Sequence, residues 1–424
     1  LMQKEPNPMD SLIFKDLLIN FTSDFTPLWN DRGSGAQLSV SYWRPIPTEH
    51  FHGFHILGDF ASSDYNSIVR NRIVAIVSDA NGPDGTALHP PVDYQRLWSD
   101  TGTGADTHGA IWKPIAPEGY VALGMLCTLG YEKPLLSTMR CIRADLVIAS
   151  YVGDMIWNDR GSGGDSDFSA WSVQPPKAAS GELYFSSGTF IGVPSYEKPD
   201  IHINAHALRM QMPLEAFTPS PVPALANFNK PPSVEPSRVT YITRLPWFIV
   251  KDPNLQNHEQ LRLSPEYRLE RSDRFILVGF GHNTSSVTQA FDWTATHGES
   301  GGHSHTLSDT TLVEVGFEWQ FSVFKNSIKF SAKFNNSVTH TKTSSIGWST
   351  TTSLKVTAVV PSQKAVAVYL IQSDYRLLRR DNGQISTSIS YTDGNSVYWS
   401  EFPPTPEREV TVSCTPIEQP PSLE

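Results

Sequence analysis

The feature that most constrains the fold is a threefold internal repeat in the N-terminal half of the chain. Its copies begin at Leu28, Leu97 and Ile156 and read LWNDRGSGAQLSVSYWRPIP, LWSDTGTGADTHGAIWKPIAPEGYVALG and IWNDRGSGGDSDFSAWSVQPP. Each has an aliphatic residue, a Trp, an Asp-x-Gly-x-Gly loop and a second Trp further on. Because one unit this short cannot bury its own apolar face, we expect the three to pack around a pseudo-threefold axis as a β-prism.

The Asp-x-Gly-x-Gly loops have two interpretations. In the structural one, each Asp accepts backbone N–H groups and the glycines supply positive φ. The six repeat tryptophans are then mostly core: Trp29, Trp43, Trp98, Trp112, Trp157 and Trp171. In the functional one, the loops lie at the ends of the prism and hold sugar hydroxyls or lipid headgroups. The candidate receptor-binding residues are Asp31, Gly33, Gly35, Asp100, Gly102, Gly104, Asp159, Gly161 and Gly163.

The third copy departs from the other two after its second Trp. Copies one and two continue with WRP and WKP, whereas copy three has Trp171-Ser172-Val173 and lacks the proline. If ligand binding needs that corner, copy three is expected to be silent.

A second constraint is the alternation in residues 312–338, LVEVGFEWQFSVFKNSIKFSAKFNNSV. A period of two predicts strands with one apolar face. If Lys325 and Asn326 form a two-residue turn, Val323 faces Ile328 and Phe321 faces Phe330 in one hairpin. The apolar positions are Val313, Val315, Phe317, Trp319, Phe321, Val323, Ile328, Phe330, Ala332 and Phe334. The opposite face carries Glu314, Glu318, Gln320, Lys329 and Lys333.

Each arm of this hairpin has the length that a membrane requires. At roughly 3.3 Å per residue an arm is about 36 Å long, or about 28 Å when tilted by about 40°, close to the apolar thickness of a bilayer. A lone hairpin cannot remain there, because its unpaired backbone groups are costly in hydrocarbon. A ring of copies that closes a barrel removes those edges. An ordinary strand pair with one face on a core is the alternative.

Two resemblances follow from these residues. The repeats, with GYVALG at 119–124 and CIRADLV at 141–147, resemble the vacuolar protein sorting-associated family numbered 62, which implies a β-prism-like domain. Residues 294–370 contain TATH, the hairpin, a Ser/Thr tract and VPSQKAVAVYL, and they resemble the pore-forming module of the aerolysin superfamily, particularly its epsilon-toxin and mosquitocidal-toxin branch. The second resemblance implies an elongated β domain whose hairpin unfolds into a transmembrane barrel after oligomerisation.

The domain prediction follows from a proline-rich stretch. Residues 212–237 read MPLEAFTPSPVPALANFNKPPSVEPS, which is typical of a semi-rigid extended linker. We therefore predict a prism domain at 1–211, with repeats at about 28–60, 97–134 and 156–199, and an aerolysin-like domain at 238–424. The expected fold class is all-β, a threefold prism followed by an elongated antiparallel domain.

Composition limits the partners. A formal net charge of −10 and a pI near 5.7 argue against nucleic acid and against adsorption to anionic lipid by charge alone, so membrane attachment needs a glycan, lipid or protein receptor. The sequence contains no run of 18 apolar residues, so we expect no transmembrane helix. No signal peptide is visible, and the chain begins at Leu1 without an initiator Met, so trimming or added residues there both stay open.

Motifs of chemistry are sparse. Three cysteines form no disulfide framework, although pairing of Cys127 with Cys141 stays open. His303 and His305 near Glu299 suit a flexible polar loop, and a metal site or a pH sensor are alternatives. No hydrolase, zinc-protease or nucleotide fingerprint occurs, so we expect neither an enzyme nor a cofactor.

The predicted function is that of a secreted pore-forming toxin, insecticidal or defensive. Its prism binds a receptor on the target-cell membrane, the chain forms a homo-oligomer, and the hairpins insert. The apolar positions of the hairpin would face lipid, and the polar ones would line the lumen. The alternative is a non-lytic glycan- or lipid-binding protein, lectin-like or related to sorting.

Overall fold

The computed structural model describes residues 11–47, 52–200, 205–300, 322–323, 328–339, 351–385 and 389–418. This part of the chain is nearly all β, with antiparallel sheets, and its α-helices are α1 (Asn257–Leu263) and α2 (Asn336–Thr339). The predicted all-β, antiparallel fold class is confirmed.

The strands follow one another in chain order. They are β1 (Leu12–Phe14), β2 (Leu17–Thr22), β3 (Phe25–Asn30), β4 (Ser41–Pro45), β5 (His55–Ile56), β6 (Phe60–Ser62), β7 (Val74–Asp79), β8 (Leu88–His89), β9 (Asp93–Ser99), β10 (Gly109–Ile115), β11 (Tyr120–Val121), β12 (Leu126–Leu129), β13 (Cys141–Arg143), β14 (Val147–Asn158), β15 (Ser169–Gln174), β16 (Glu182–Phe185), β17 (Ile191–Val193), β18 (Ala205–Gln211), β19 (Leu214–Ala216), β20 (Arg238–Pro246), β21 (Glu266–His282), β22 (Gln289–Ser300), β23 (Ser322–Val323), β24 (Lys329–Ala332), β25 (Thr352–Val360), β26 (Ala365–Leu378), β27 (Ile389–Phe402) and β28 (Thr411–Pro416).

The described residues form two compact units. The first, called the prism unit below, comprises those within 1–211 and 319–333, and the second unit comprises those within 212–318 and 334–424. Strand β24 therefore belongs to the prism unit, although the sequence prediction placed all of 238–424 in the other domain. The predicted linker lies within the second unit, where β19 pairs with β20 and Val234 bridges to Ile276.

Three small sheets surround the core of the prism unit. They are β3-β4-β6, β9-β10-β12 and β14-β15-β17, one from each repeat. Trp29, Trp98 and Trp157 meet between them, with ring centroids 5.5 to 6.3 Å apart. All six repeat tryptophans are buried, as predicted. Aromatic rings in these tilted contacts add to the stabilisation that burial alone supplies.

Backbone hydrogen bonds close the three repeats into a ring. The amide N–H of Asp59 donates to the carbonyl of Met125 at 2.9 Å, that of Met125 to Phe190 at 3.1 Å, and that of Phe190 back to Asp59 at 3.4 Å. Each repeat thus provides a backbone hydrogen-bond partner for the next one, and removal of any repeat would expose the shared core.

Each repeat also contributes an outer sheet, and the third of these differs from the others. The outer sheets are β2-β7-β5, with β1 added to β2, then β8-β13-β11, and finally β14-β18-β16. Strands β5 and β11 have two residues each, whereas β16 has four and pairs with β24. The order of the extended sheet is β17-β15-β14-β18-β16-β24-β23.

The second unit is built on one sheet of long strands, in the order β19-β20-β21-β26-β27-β22-β25-β28. Strand β21 has 17 residues, and β26 and β27 have 14 each. Strand β22 pairs with β25 as far as His297 and with β27 from Gly298 onward. Small β-branched residues from β25 and β26, such as Val356 and Val368, form much of its core.

Candidate functional site

The three loop aspartates have the same structural role in each repeat. One carboxylate oxygen of Asp31, Asp100 and Asp159 accepts the backbone N–H nine residues further on, at 2.9 Å in every case. Their exposed fractions are 3%, 3% and 1%. Burial raises the pKa of the Asp159 carboxyl, which also accepts the indole N–H of Trp98 at 3.1 Å. These carboxylates hold the loops closed and point away from solvent.

The loop glycines permit close contact between neighbouring repeats. A Cβ on Gly33 would lie 2.3 Å from a carboxylate oxygen of Asp106, and one on Gly102 would lie 2.5 Å from that of Asp165. All six predicted loop glycines have positive φ, as the structural interpretation requires: Gly33, Gly35, Gly102, Gly104, Gly161 and Gly163.

Indole N–H groups connect the loops around the axis. Trp29 donates to the carbonyl of Thr107 in the second repeat at 2.7 Å, and Trp98 donates to that of Ser166 in the third at 3.1 Å. Trp157 returns to Leu38 in the first repeat at 3.0 Å. The tryptophans therefore serve as core and as polar links between repeats.

The side chains that face outward at the loops are not the predicted Asp and Gly residues but neighbouring cationic and aromatic residues. The Arg32 guanidinium lies over the Tyr65 ring at 4.5 Å, and Arg160 lies over Tyr196 at 4.8 Å. In the second repeat a Thr follows the Asp, and His108 packs against the repeat tyrosine instead, with ring centroids 5.2 Å apart. The signal for them was the residue after each loop Asp, which is Arg in copies one and three only.

The second arm of the predicted hairpin contains β24, a buried strand that lies between β16 and β23 in the prism unit's extended sheet. Strand β24 pairs antiparallel with β16, with Phe330 opposite Phe185 and Ala332 opposite Leu183. Ile328 is also fully buried. The alternate residues Lys329 and Ser331 are buried as well. The side-chain oxygen of Ser331 accepts the backbone N–H of Ala178 at 2.7 Å. Both faces of this strand are covered in the described state.

The register between the two arms differs from the prediction. Ser322 pairs with Phe330 and Val323 with Lys329, one residue away from the register that a two-residue turn at Lys325 and Asn326 requires. The predicted pairing of Phe321 with Phe330 and of Val323 with Ile328 is therefore wrong. The physical reason is that β24 also pairs with β16, so its position is set by that partner. A one-residue shift moves one arm's alternation to the other face.

Lys329, predicted to line a lumen, is held inside the prism unit. Its ammonium group lies 2.6 Å from a carboxylate oxygen of Asp154 and 3.1 Å from the hydroxyl of Ser172. This hydrogen bond holds the pKa of Asp154 below its ordinary value. We call Lys329, Asp154 and Ser172 the Lys329 anchor. Lys333, also predicted to line the lumen, exchanges backbone hydrogen bonds with Gly181 and Glu182.

The segment that follows β24 is held within the second unit. The Arg271 guanidinium donates to the carbonyls of Ser337 and Val338 at 2.6 and 3.2 Å. The Tyr375 hydroxyl also donates to the carbonyl of Val338. Asp273 fixes the guanidinium with two hydrogen bonds of 2.8 and 2.9 Å. Phe334, predicted to face lipid, is buried in this unit.

Several predicted residues lie outside the described part of the chain. These are Val313, Glu314, Val315, Phe317, Glu318, Trp319, Gln320, Phe321, His303 and His305. Within the described part, no group of His, Cys, Asp or Glu could hold a metal ion, and Cys127, Cys141 and Cys414 are free thiols. No helix described here is long and apolar enough to cross a bilayer.

The comparison that bears on these repeats covers the region around the threefold axis. Residues 11–217 match the Vps62 family model, described as Vacuolar protein sorting-associated protein 62. The resemblance predicted from the repeats is thereby confirmed. The matched region contains all three loops, strand β16, which pairs with β24, and the Lys329 contacts Asp154 and Ser172. No curated protein matches the chain.

The solved structures that are similar to the chain include GNIP1Aa and Cry35Ab1. The crystal structure of GNIP1Aa from Chromobacterium piscinae has 27% identity and a TM-score of 0.40, and the match covers 46% of this chain. It covers only 37% of GNIP1Aa, so this chain spans well under half of that protein's length. The crystal structure of Cry35Ab1 has 10% identity and a TM-score of 0.35, with 92% of this chain and 91% of that one covered.

Proposed function

We propose that the protein is a secreted β-pore-forming toxin that binds a target-cell membrane, forms a homo-oligomer and inserts the hairpin of residues 312–338. The observation that carries the proposal is the place in the sheet of β23 and β24, the described strands of this hairpin. Among the described residues, strand β24 pairs with the rest of the prism unit through β16, and β23 follows it at the end of the strand order. One seam of backbone pairing must open for the hairpin to leave.

The side chains of β24 suit a change of environment. Ile328, Phe330 and Ala332 are buried now, and each apolar side chain of the larger kind costs about 1.5 to 3 kcal/mol when left in water. A hairpin that leaves the sheet therefore needs a new apolar partner. Lipid is such a partner, and a closed ring of hairpins satisfies the backbone groups that opening exposes.

The inserted state requires a different register between the arms. A two-residue turn at Lys325 and Asn326 brings the apolar alternation of both arms to one face, which the pairing of Val323 with Lys329 does not. In the proposal, withdrawal from β16 removes the constraint on β24 and allows this one-residue shift. Lys329 and Lys333 then line the lumen, as predicted from the sequence.

Target binding is assigned to the loop end of the prism unit. Arg32, Arg160 and His108 are exposed there, each against a tyrosine of its own repeat, so a glycan, lipid headgroup or receptor protein can meet up to three surfaces. Three weak contacts on one rigid scaffold strengthen binding through effective concentration. The resemblance of residues 294–370 to the aerolysin superfamily supports the same assignment of roles.

A disulfide across the seam tests the insertion step. Leu183 and Ala332 are directly opposed in the β16–β24 pair, so their Cα atoms lie at a spacing that a disulfide accepts. We expect the oxidised L183C/A332C protein to bind vesicles prepared from target-cell membranes without releasing an enclosed dye, and reduction to restore release. The matched control is H55C/V77C, which ties opposed residues of β5 and β7 away from the hairpin. Equal dye release by the oxidised seam variant would refute insertion.

The burial of both faces of β24 favours a second candidate, a non-lytic binding protein in which this strand never leaves the sheet. The substitution Phe317→Asp separates the two. The pore proposal expects a folded, vesicle-binding protein that releases no dye. The binding-protein alternative expects no dye release from the unchanged protein in the first place.

A further inference from the structure

We propose that the third repeat of the prism unit is a dedicated docking site for β24, and that the Lys329 anchor controls whether this strand stays docked. This inference rests on the proposed function for its biological meaning, but it concerns contacts within one unit. Three departures of the third repeat from the other two meet at the anchor, and each can be read from the described strands.

The first departure is the residue after the second repeat Trp. It is Arg44 in copy one and Lys113 in copy two, but Ser172 in copy three. In copy one the Arg44 guanidinium pairs with the buried Asp59 carboxylate through hydrogen bonds of 3.0 Å. Copy three has no cation of its own at this position. The ammonium of Lys329, delivered by β24, lies against the Ser172 hydroxyl instead.

The second departure is an additional bulge in β14. Val152 pairs with Val173 and Met155 with Trp171, so two residues, Gly153 and Asp154, lie opposite the single Ser172. The pairs β3–β4 and β9–β10 each have one register shift, whereas β14–β15 has two. A β-bulge changes the direction in which the side chains of the bulged residues point.

Gly153 makes room for this arrangement. A Cβ added there would lie 2.4 Å from the hydroxyl oxygen of Ser172 and 3.2 Å from the ammonium nitrogen of Lys329. The bulge therefore combines a residue without a side chain with an adjacent carboxylate, Asp154, that points at Lys329. The peptide N–H of Asp154 in turn donates to Ser172 at 2.8 Å, which ties all the parts together.

The third departure is the edge that β24 uses. The counterparts of β16 in copies one and two, β5 and β11, are too short to offer a matching ladder. Two hydrogen bonds to Ser186 extend the pairing of β24 beyond the end of β16. The backbone N–H of Lys329 donates to the Ser186 hydroxyl at 3.0 Å, and the Lys329 carbonyl accepts the backbone N–H of Ser186 at 2.8 Å. Strand pairing and ion pair thus converge on one residue of the hairpin.

The charges explain why this contact can act as a control point. The Lys329 side chain is only 10% exposed, whereas that of Asp154 is 86% exposed. Asp154 is largely solvated whether or not β24 is docked, but Lys329 meets this carboxylate only in the docked state. Arg72 lines the adjacent cavity of about 260 Å³, and Lys198 acts weakly on Asp154. Loss of the carboxylate removes this ion pair from the buried Lys329 ammonium, which favours undocking.

Hydrogen–deuterium exchange of the full chain in solution, without membranes, tests the inference. We expect the amides of residues 329–332 to exchange about tenfold faster in D154N than in the unchanged protein, because opening of the hairpin becomes easier. The matched control is D145N, which removes an exposed carboxylate paired with Arg143 elsewhere in the prism unit. Amides of β2 and β7 should exchange at the same rate in all three proteins.

The outcomes separate this inference from the proposed function. Exchange of 329–332 within twofold of the unchanged protein in D154N overturns the inference, as does an equal acceleration throughout the prism unit. The double variant D154N/K329M serves as a second test and should exchange more slowly than D154N, because the buried charge is removed together with its partner. If exchange accelerates as expected but no variant releases dye from vesicles, the anchor stands and the pore proposal fails. If the unchanged protein releases dye and residues 329–332 of D154N exchange at the unchanged rate, the pore proposal stands and the anchor inference fails.

Discussion

Replacing Asp100 with Ala tests whether the loop carboxylates hold the prism together or contact a ligand. Asp100 accepts the buried N–H of Gly109 at 2.9 Å and the hydroxyl of Tyr131 at 2.8 Å. Water can replace the second partner because Tyr131 is 36% exposed, but it cannot easily reach the first. An orphaned buried donor costs about 1 to 3 kcal/mol, and bonds to charged groups are at the upper end of that range.

We therefore expect D100A to lower the free energy of unfolding of the prism unit by about 2 to 3 kcal/mol. For a unit of this size, that corresponds to a fall of roughly 5 to 10 °C in Tm. Calorimetry or urea unfolding measures it. D31A should behave alike because Asp31 accepts the N–H of Val40 and the hydroxyl of Tyr65 in the same geometry.

D106A is the matched control, because Asp106 is exposed and lies on the same loop. Its Tm should stay within 1 to 2 °C of the unchanged protein, as surface substitutions usually do. If D100A unfolds like the control yet loses binding to target membranes, the carboxylate contacts the ligand and the structural assignment is refuted.

Three further predictions concern the docked hairpin and the segment after it. G153A should accelerate exchange of the β24 amides, because its new Cβ collides with Ser172; an unchanged rate would show that the bulge does not support Lys329. Lys329 holds the pKa of Asp154 below its ordinary value of 3.8, so the contribution of this ion pair to docking should be constant from pH 5 to 8. It should disappear only as pH falls through the lowered pKa. Exchange of the β24 amides measured against pH checks this, and loss of their protection near pH 6 would contradict it. R271M should destabilise the second unit by roughly 3 kcal/mol in urea unfolding, since it leaves the partly buried Asp273 carboxylate without its cation, and an unaffected midpoint would argue against that network.

Much of the prism could be predicted from sequence because its information is local and repeated. The Asp-x-Gly-x-Gly spacing places one carboxylate within reach of a backbone N–H nine residues later, and this recurs at Asp31, Asp100 and Asp159. The glycine conformations follow from the same turns. The outward groups of the loops were not selected, because stacking of Arg32 on Tyr65 joins residues that no repeat pattern connects.

The sequence by itself determined the all-β class, the threefold core and the apolar alternation of the hairpin, because these depend on periodicity and on turn chemistry within short segments. Only the tertiary structure decided where the second arm pairs. The Lys329 ammonium meets a carboxylate 175 residues earlier in the chain, and β16 supplies the edge that sets its register. Strand pairing is backbone chemistry that any two open edges can satisfy, so the choice of partner depends on which edges the rest of the fold leaves open.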